Sequence, residues 1–147
     1  MIRTTLVAAA ILVAPPLAAQ EATGGPIVTP FEGSFEDAAF ALETAIVNRG
    51  LVVDHVSHVG EMLARTAADV GADEQLFAQA DVYLFCSARI SREVMEVDPM
   101  NIAHCPYGIF VAERDGAVVL GHRDYPEGAM QVVEDMLGEI VAEASAF

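Results

Sequence analysis

The sequence predicts a single α+β domain, in which a mainly antiparallel sheet of four to five strands carries helices packed largely on one face. The apolar pattern switches between strand and helix periods in the order (β)αβα-βα-ββα. Asp115-Gly116, between two apolar runs, is typical of the tight hairpins that join antiparallel strands. The chain has 147 residues, enough for one such domain and too few for two of ordinary size.

Residues 1–19 are predicted to be a secretory signal peptide and not part of the fold. Arg3 gives a positive start, residues 6–14 are apolar, and the small residues Ala18 and Ala19 precede the expected cleavage point. The apolar core is about half the length that a membrane-spanning helix needs. We therefore expect a periplasmic or secreted protein with no stable membrane insertion after cleavage.

The first half of the mature chain predicts two strands and two helices. Residues 20–33 form a lead-in with a possible edge strand, where proline is tolerated, and the α+β domain is assigned to 34–147. Ser34 and Asp37 have capping-box spacing before a helix that Arg49-Gly50 closes; its apolar stripe is Phe35, Ala39, Leu42 and Ile46. Residues 51–57 then predict a strand, followed by a helix ending at Gly71 with its stripe at Val59, Met62, Leu63, Thr66 and Val70.

The second half begins with an irregular acidic segment, 72–80, holding at most one helical turn. Residues 81–85 follow as the clearest core strand. Ser87 can cap a helix to Val97, which Asp98-Pro99 stops before a loop at 100–106. Strands at 107–113 and 117–122 flank the hairpin turn, and Pro126 opens a last helix with its stripe at Met130, Val133, Leu137, Ile140 or Val141, and Ala144.

The charge excludes two classes of partner. The chain has 22 Asp and Glu against 7 basic residues, all of them Arg, and its net charge is −15. Loss of Arg3 with the leader makes it −16. A protein that tracks nucleic-acid phosphates, or binds an anionic membrane surface, needs the opposite charge.

The common catalytic motifs are absent. The sequence contains no G-x-S-x-G, P-loop, G-x-G-x-x-G, H-E-x-x-H or C-x-x-C. Its carboxylates are scattered over predicted helix surfaces. We therefore expect a protein that is not an enzyme.

His55 and His58 form an H-x-x-H pair at the end of a predicted strand. Residues three apart in a strand point to opposite faces, so this spacing is a weak signal for a metal site. We keep both as candidate ligand-binding residues, together with His104 and Tyr107.

The two cysteines are predicted to form a disulfide. Cys86 ends one core strand, and Cys105 precedes the next within His104-Cys105-Pro106-Tyr107. Cysteines of exported proteins most often pair, and closing this loop would add roughly 3 kcal/mol. The pairing needs the chain to return between the strands, because a complete parallel crossover would place the cysteines at opposite edges. The alternative is a metal or haem site formed by Cys86, His104 and Cys105, with Cu, Zn or haem as its cofactor.

A family resemblance rests on several of these segments taken in order. They are the helix opening at Ser34-Phe35-Glu36-Asp37, the turn Arg49-Gly50-Leu51, Asp54-His55-Val56-Ser57-His58, Phe85-Cys86-Ser87, Asp98-Pro99 and Cys105-Pro106-Tyr107. Over residues 27 to about 125 the chain resembles the domain-of-unknown-function family numbered 302. The resemblance implies a compact α+β domain, often dimeric, with no established reaction.

The functional expectation is an exported, acidic, non-enzymatic binding or accessory domain stabilised by a Cys86–Cys105 disulfide. Its partner would be an unknown small ligand or protein. The alternative is a periplasmic redox or metal- and haem-handling protein that uses Cys86, His104 and Cys105. A homodimer formed through an exposed strand edge is a third possibility.

Overall fold

The sheet has five antiparallel strands in the order β1-β5-β4-β3-β2. The computed structural model describes residues 24–147, so the predicted signal peptide lies outside the described residues. The strands are β1 (Ile27–Phe31), β2 (Val53–Ser57), β3 (Gln79–Phe85), β4 (Tyr107–Arg114) and β5 (Ala117–His122). This architecture confirms the predicted fold class.

The described residues also form four α-helices and two short 3₁₀ helices, and the last α-helix follows the final strand. They are α1 (Phe35–Asn48), α2 (Val59–Thr66), α3 (Ala88–Val97) and α4 (Gln131–Ser145), with 3₁₀ helices at Ala68–Val70 and Pro99–His104. Within residues 24–147 no helix combines the length and the apolar character needed to cross a membrane.

Helix α1 begins at the predicted capping box. The Asp37 backbone N–H donates to Ser34 Oγ at 3.1 Å, and the Ser34 N–H donates to Asp37 Oδ2 at 3.3 Å. Small buried alanines let α1 pack closely on α4, and Arg49 links the two helices through Glu139, with 2.8 Å between Arg49 Nη1 and Glu139 Oε2. These two helices cover one face of the sheet.

The core lies between these helices and alternate residues of the central strands. Tyr83 and Phe85 of β3, Tyr107 and Ile109 of β4 and Leu120 of β5 are each no more than 6% exposed. They share one side of the sheet by strand register. This side is the core face.

The opposite side of the three central strands is also apolar. We call it the outer face and define it by Val82, Leu84, Gly108, Phe110, Val119 and Gly121. A Cβ added at Gly121 would overlap the Phe110 ring, and one added at Gly108 would lie 3.2 Å from Leu84 Cδ2. The two glycines therefore make room for side chains of neighbouring strands to lie flat across the sheet.

Three element boundaries differ from the sequence prediction. Residues 72–78 contain no helical turn, and β3 already begins at Gln79. The predicted loop at 100–106 contains the Pro99–His104 3₁₀ helix, because Asp98 accepts a hydrogen bond from the Met100 N–H at 2.9 Å and caps a new turn. Helix α4 begins at Gln131 and not at Pro126.

The predicted apolar stripe of α2 is wrong in part. Met62 is 41% exposed and Val70 is 76% exposed. The buried residue of this helix is Gly60, where an added Cβ would lie only 2.7 Å from the backbone nitrogen of Ala80. The close packing of α2 on β3 therefore depends on the backbone at Gly60 and not on the predicted apolar stripe.

Candidate functional site

The antiparallel pairing of β3 and β4 brings the two cysteines together. Phe85 lies opposite Tyr107, so Cys86 follows the end of one strand beside the residue that precedes the other. The Cys86 and Cys105 Sγ atoms are 2.8 Å apart. The predicted proximity is confirmed, whereas the covalent bond is not formed and both residues are free thiols.

The segment between the cysteines is held by local hydrogen bonds. Ser87 caps α3 by accepting from the Ile90 N–H at 3.4 Å. Asn101 Nδ2 donates to the Val94 carbonyl at 2.9 Å, which fastens the Pro99–His104 3₁₀ helix to α3. The chain therefore turns back after α3. This return places Cys105, before β4, beside Cys86 at the end of β3.

A buried tyrosine pair forms the inner wall of this site. Tyr107 is fully buried, and its hydroxyl accepts from Ser91 Oγ at 3.2 Å. The Tyr125 ring is 3% exposed, with its centroid 6.4 Å from that of Tyr107 and 5.7 Å from that of the half-buried His104. Ser91 Oγ also lies 3.9 Å from Cys105 Sγ. We call these residues the cysteine cluster: Cys86, Ser91, His104, Cys105, Tyr107 and Tyr125.

The protonated, neutral form of the Cys86 thiol is favoured. Desolvation, the hydrogen bond with Cys105 and the negative charge of Asp54 raise its pKa to about 12, although the residue keeps an exposed side. Burial likewise raises the pKa of Tyr125 to about 12. Because the thiolate is the nucleophilic form of cysteine, this setting is unlike that of a reactive thiol.

The cysteine cluster does not present a converged metal-ligand set. In the part of the chain that the structure describes, no group of three or more His, Cys, Asp or Glu side chains is placed to hold a metal ion. Cys86 and Cys105 meet each other, whereas the His104 ring lies against Tyr125. The residues of the metal alternative are therefore close in the fold but do not converge on one point.

The two histidines lie at different places along β3. His58 precedes the first residue of α2 and makes no side-chain capping hydrogen bond; its Nδ1 lies 2.8 Å from Asp81 Oδ1, near the start of β3. His58 and Asp81 border a cavity of about 530 Å³ that Gln79 and Glu61 also line. His55 is exposed on β2 opposite Leu84, so the two histidines do not share a site.

Three residues of these sites escaped the sequence analysis. Asp81 was visible as a lone acid within an apolar strand, which is a signal for a buried polar contact. Ser91 and Tyr125 carried no signal of their own, because their partners lie 16 and 18 residues away in the chain and only the fold brings them together.

The similarities to known proteins concern family and fold. The sequence profile described as "Domain of unknown function DUF302" matches residues 27–146. The crystal structure of an uncharacterized conserved protein DUF302 from Bacillus stearothermophilus superposes with a TM-score of 0.58 at 16% sequence identity, covering 82% of this chain and 93% of that chain. No curated protein matches the sequence.

Proposed function

Because the chain belongs to the DUF302 family, whose description carries no reaction, we propose its function from the cysteine cluster. The protein is an exported, non-enzymatic binding or accessory domain that a Cys86–Cys105 disulfide stabilises. The observation that carries this proposal is the 2.8 Å separation of the two sulfur atoms at the β3–β4 end of the sheet.

The position of the cysteines favours a structural bond. A disulfide there would tie the end of β3 to the start of β4 and close the segment that holds α3 and the Pro99–His104 3₁₀ helix. Such a cross-link restricts the unfolded chain and is worth roughly 3 kcal/mol for a loop of this length. An exported protein meets the oxidising conditions that form and keep the bond.

The electrostatics favour this role over redox catalysis. A thiol–disulfide exchange catalyst attacks with a thiolate of lowered pKa, whereas the surroundings of Cys86 raise its pKa to about 12. The alternative of a metal- or haem-handling protein would need Cys86, His104 and Cys105 to turn toward one centre, and His104 is instead packed against Tyr125.

A ligand would bind at the accessible rim of the cluster. Cys86 is exposed, and His104 and Cys105 are half-buried, so these residues offer polar atoms beside the tyrosine wall. His58 lies at the other end of β3 and would belong to a separate contact, whereas His55 lies opposite Leu84, two residues from Cys86.

The test is a count of free thiols in the protein purified from the periplasm. The denatured protein is alkylated with and without prior reduction and weighed intact. We expect no alkylation before reduction and two alkylations after it, since the chain has only two cysteines. The single variants Cys86→Ser and Cys105→Ser are the controls, and each should expose one reactive thiol without reductant.

Two alkylations before reduction would contradict the disulfide. Metal analysis and a visible absorption spectrum of the same sample then address the alternative. Stoichiometric Cu, Zn or haem that is lost in both serine variants would replace the structural proposal with the metal- or haem-handling one.

A further inference from the structure

A cavity lies between α2, the Ala68–Val70 3₁₀ helix and residues 72–77, and we call it the α2 cavity. Its volume is about 420 Å³, within the roughly 300 to 1,000 Å³ range of small-molecule sites. Its lining shares no residue with the cysteine cluster. We propose that the α2 cavity binds a small organic cation, namely an amine that carries an aromatic or aliphatic body.

The cavity is open because the inward residues of α2 are small. Gly60 brings the helix against the backbone of β3, and Ala64 and Ala67 lie on the same face of the helix. The alanine side chains end at a single methyl group. They therefore leave space between α2 and residues 72–77, although the helix itself lies close to the sheet.

The segment on the far side of the cavity is held by its own hydrogen bonds. The Ala72 N–H donates to the Ala67 carbonyl at 2.9 Å, which fixes the turn after the 3₁₀ helix. Gln75 Nε2 donates to the Phe77 carbonyl at 3.0 Å, just before β3 begins. The wall formed by residues 72–77 is therefore fixed at both of its ends.

The side chains around the cavity favour a ligand with an apolar body. Leu63 and Phe77 line it and are half-buried, whereas Val70 and Leu76 line it and are exposed. A ligand in the cavity would remove these apolar side chains from water, which stabilises the complex. Small-molecule sites are typically lined in this way, with a few polar groups that set orientation.

The charges at the cavity select a positive group. The charged residues that line it, Asp73 and Glu74, are both acidic. The neighbouring cavity beside His58 holds two further acids, Glu61 and Asp81. A cleft lined by one sign of charge concentrates ligands of the opposite sign, and the net charge of −15 acts in the same direction. An ammonium group therefore complements this site, and a carboxylate is repelled.

A larger cavity near the start of α3 shows why a single sign of charge matters. It has a volume of about 700 Å³, and Arg49 and Arg89 line it together with Asp135 and Glu139. Arg49 Nη1 already donates to Glu139 Oε2 at 2.8 Å. The charges there offset one another, whereas those of the α2 cavity act together on a ligand.

The experiment is an NMR titration of the isotope-labelled protein with phenethylamine, which is protonated at neutral pH. We expect the amide signals of α2 and of residues 72–77 to shift, with a Kd of about 0.1 to 1 mM for a ligand of this size. The neutral phenethyl alcohol should bind about 3- to 10-fold more weakly, because it lacks the charge. The anionic phenylacetate should bind more weakly than the alcohol.

Two variants test the place and the charge separately. Ala64→Trp fills the cavity and should weaken phenethylamine binding about 10-fold or more. Ala142→Trp is the matched control, at an exposed alanine of α4, and should bind as wild type does. The double variant Asp73→Asn, Glu74→Gln keeps the shape of the cavity and should remove the advantage of the amine over the alcohol.

Far-UV circular dichroism checks that each variant is folded, and Ala72→Trp replaces Ala64→Trp if the latter unfolds. If no signal of α2 or of residues 72–77 shifts at up to about 10 mM phenethylamine, the proposal is overturned. Phenylacetate that binds as tightly as phenethylamine would overturn it too, and so would a folded tryptophan variant at the cavity that binds as tightly as wild type. None of these results bears on the disulfide, since the thiol count is made on denatured protein.

Discussion

The two ends of β3 carry the two groups of residues that the sequence singled out, and they are built differently. At the start, His58 and Asp81 form a pair in which the His58 side chain is 59% exposed. At the end, Cys86 and Cys105 meet beside two tyrosines that are at least 97% buried. One end is a polar contact on the surface, and the other is continuous with the hydrophobic core.

The difference shows that packing against the hydrophobic core changes how much the residues of a site contribute to stability. A polar contact with an exposed partner contributes little to stability, because water competes for that partner and its side chain loses freedom. The polar atoms at the cysteine end instead lie beside the packed rings of Tyr107 and Tyr125. We therefore expect substitutions at the two ends to differ sharply in their effect on unfolding.

The largest effect should come from removing the tyrosine wall. Tyr107→Ala deletes a fully buried ring and leaves a cavity between β4 and α3, so we expect a loss of about 3 to 5 kcal/mol in the free energy of unfolding. Urea unfolding of the reduced protein measures it. Tyr107→Phe keeps the ring and removes only the hydrogen bond from Ser91, and should cost about 1 kcal/mol. Equal losses for the two variants would show that packing does not dominate this end.

A second, intermediate effect is alkaline destabilisation of the reduced protein. The pKa values of Cys86 and Tyr125 are raised to about 12 in the folded state from ordinary values of 9.0 and 10.0. Between about pH 9 and about pH 12 the folded protein therefore holds more protons than the unfolded chain, and its stability falls as the pH rises. Below about pH 9 the stabilising contribution of both groups to the free energy of unfolding is fully present.

The measurement is the unfolding free energy of the reduced protein across this window. Cys86→Ser should remove the loss of stability that begins near pH 9, and Tyr125→Phe should remove the loss of stability that begins near pH 10. A stability that does not change with pH in the reduced wild type, up to about pH 12, would contradict the raised pKa values of Cys86 and Tyr125.

The smallest effect should come from the histidine end. His58→Ala and Asp81→Ala each remove one partner of the 2.8 Å contact between His58 Nδ1 and Asp81 Oδ1, and each should change stability by no more than about 1 kcal/mol. A double-mutant cycle of the two isolates the pair from other contacts. A coupling energy above about 2 kcal/mol would mean that the contact at the start of β3 contributes to stability as the cysteine end does, which would contradict the difference between the two ends.

Much of the fold could be predicted because its signals are local. The capping box at Ser34, the Asp115-Gly116 turn and the apolar strands fixed the order and type of the elements, and the profile match and structural neighbour agree with the result. The burial of α2 could not be predicted, since its contact with β3 is made by the backbone at Gly60 and leaves Met62 exposed.

The part of the candidate site that could be predicted is the proximity of the two cysteines, because it depends on the direction of the strands. An antiparallel β3 and β4 put Cys86 next to Cys105, which follows from the chain turning back after α3. The position of Tyr125 depends on packing between distant segments, and no periodic pattern marks it. The outer face was visible as unbroken apolar runs in β3 and β4, but such runs are also typical of strands buried on both sides.

The contact between Phe110 and Gly121 has a consequence for how this fold can vary. The backbone at Gly121 has an ordinary negative φ, so the absence of a side chain there serves space and not conformation. A larger residue at position 121 would meet both the Phe110 ring and the backbone oxygen of Ile27, which lies 2.7 Å from the added Cβ. Among descendants of a common ancestral sequence, position 121 should therefore stay glycine even where position 110 loses its ring.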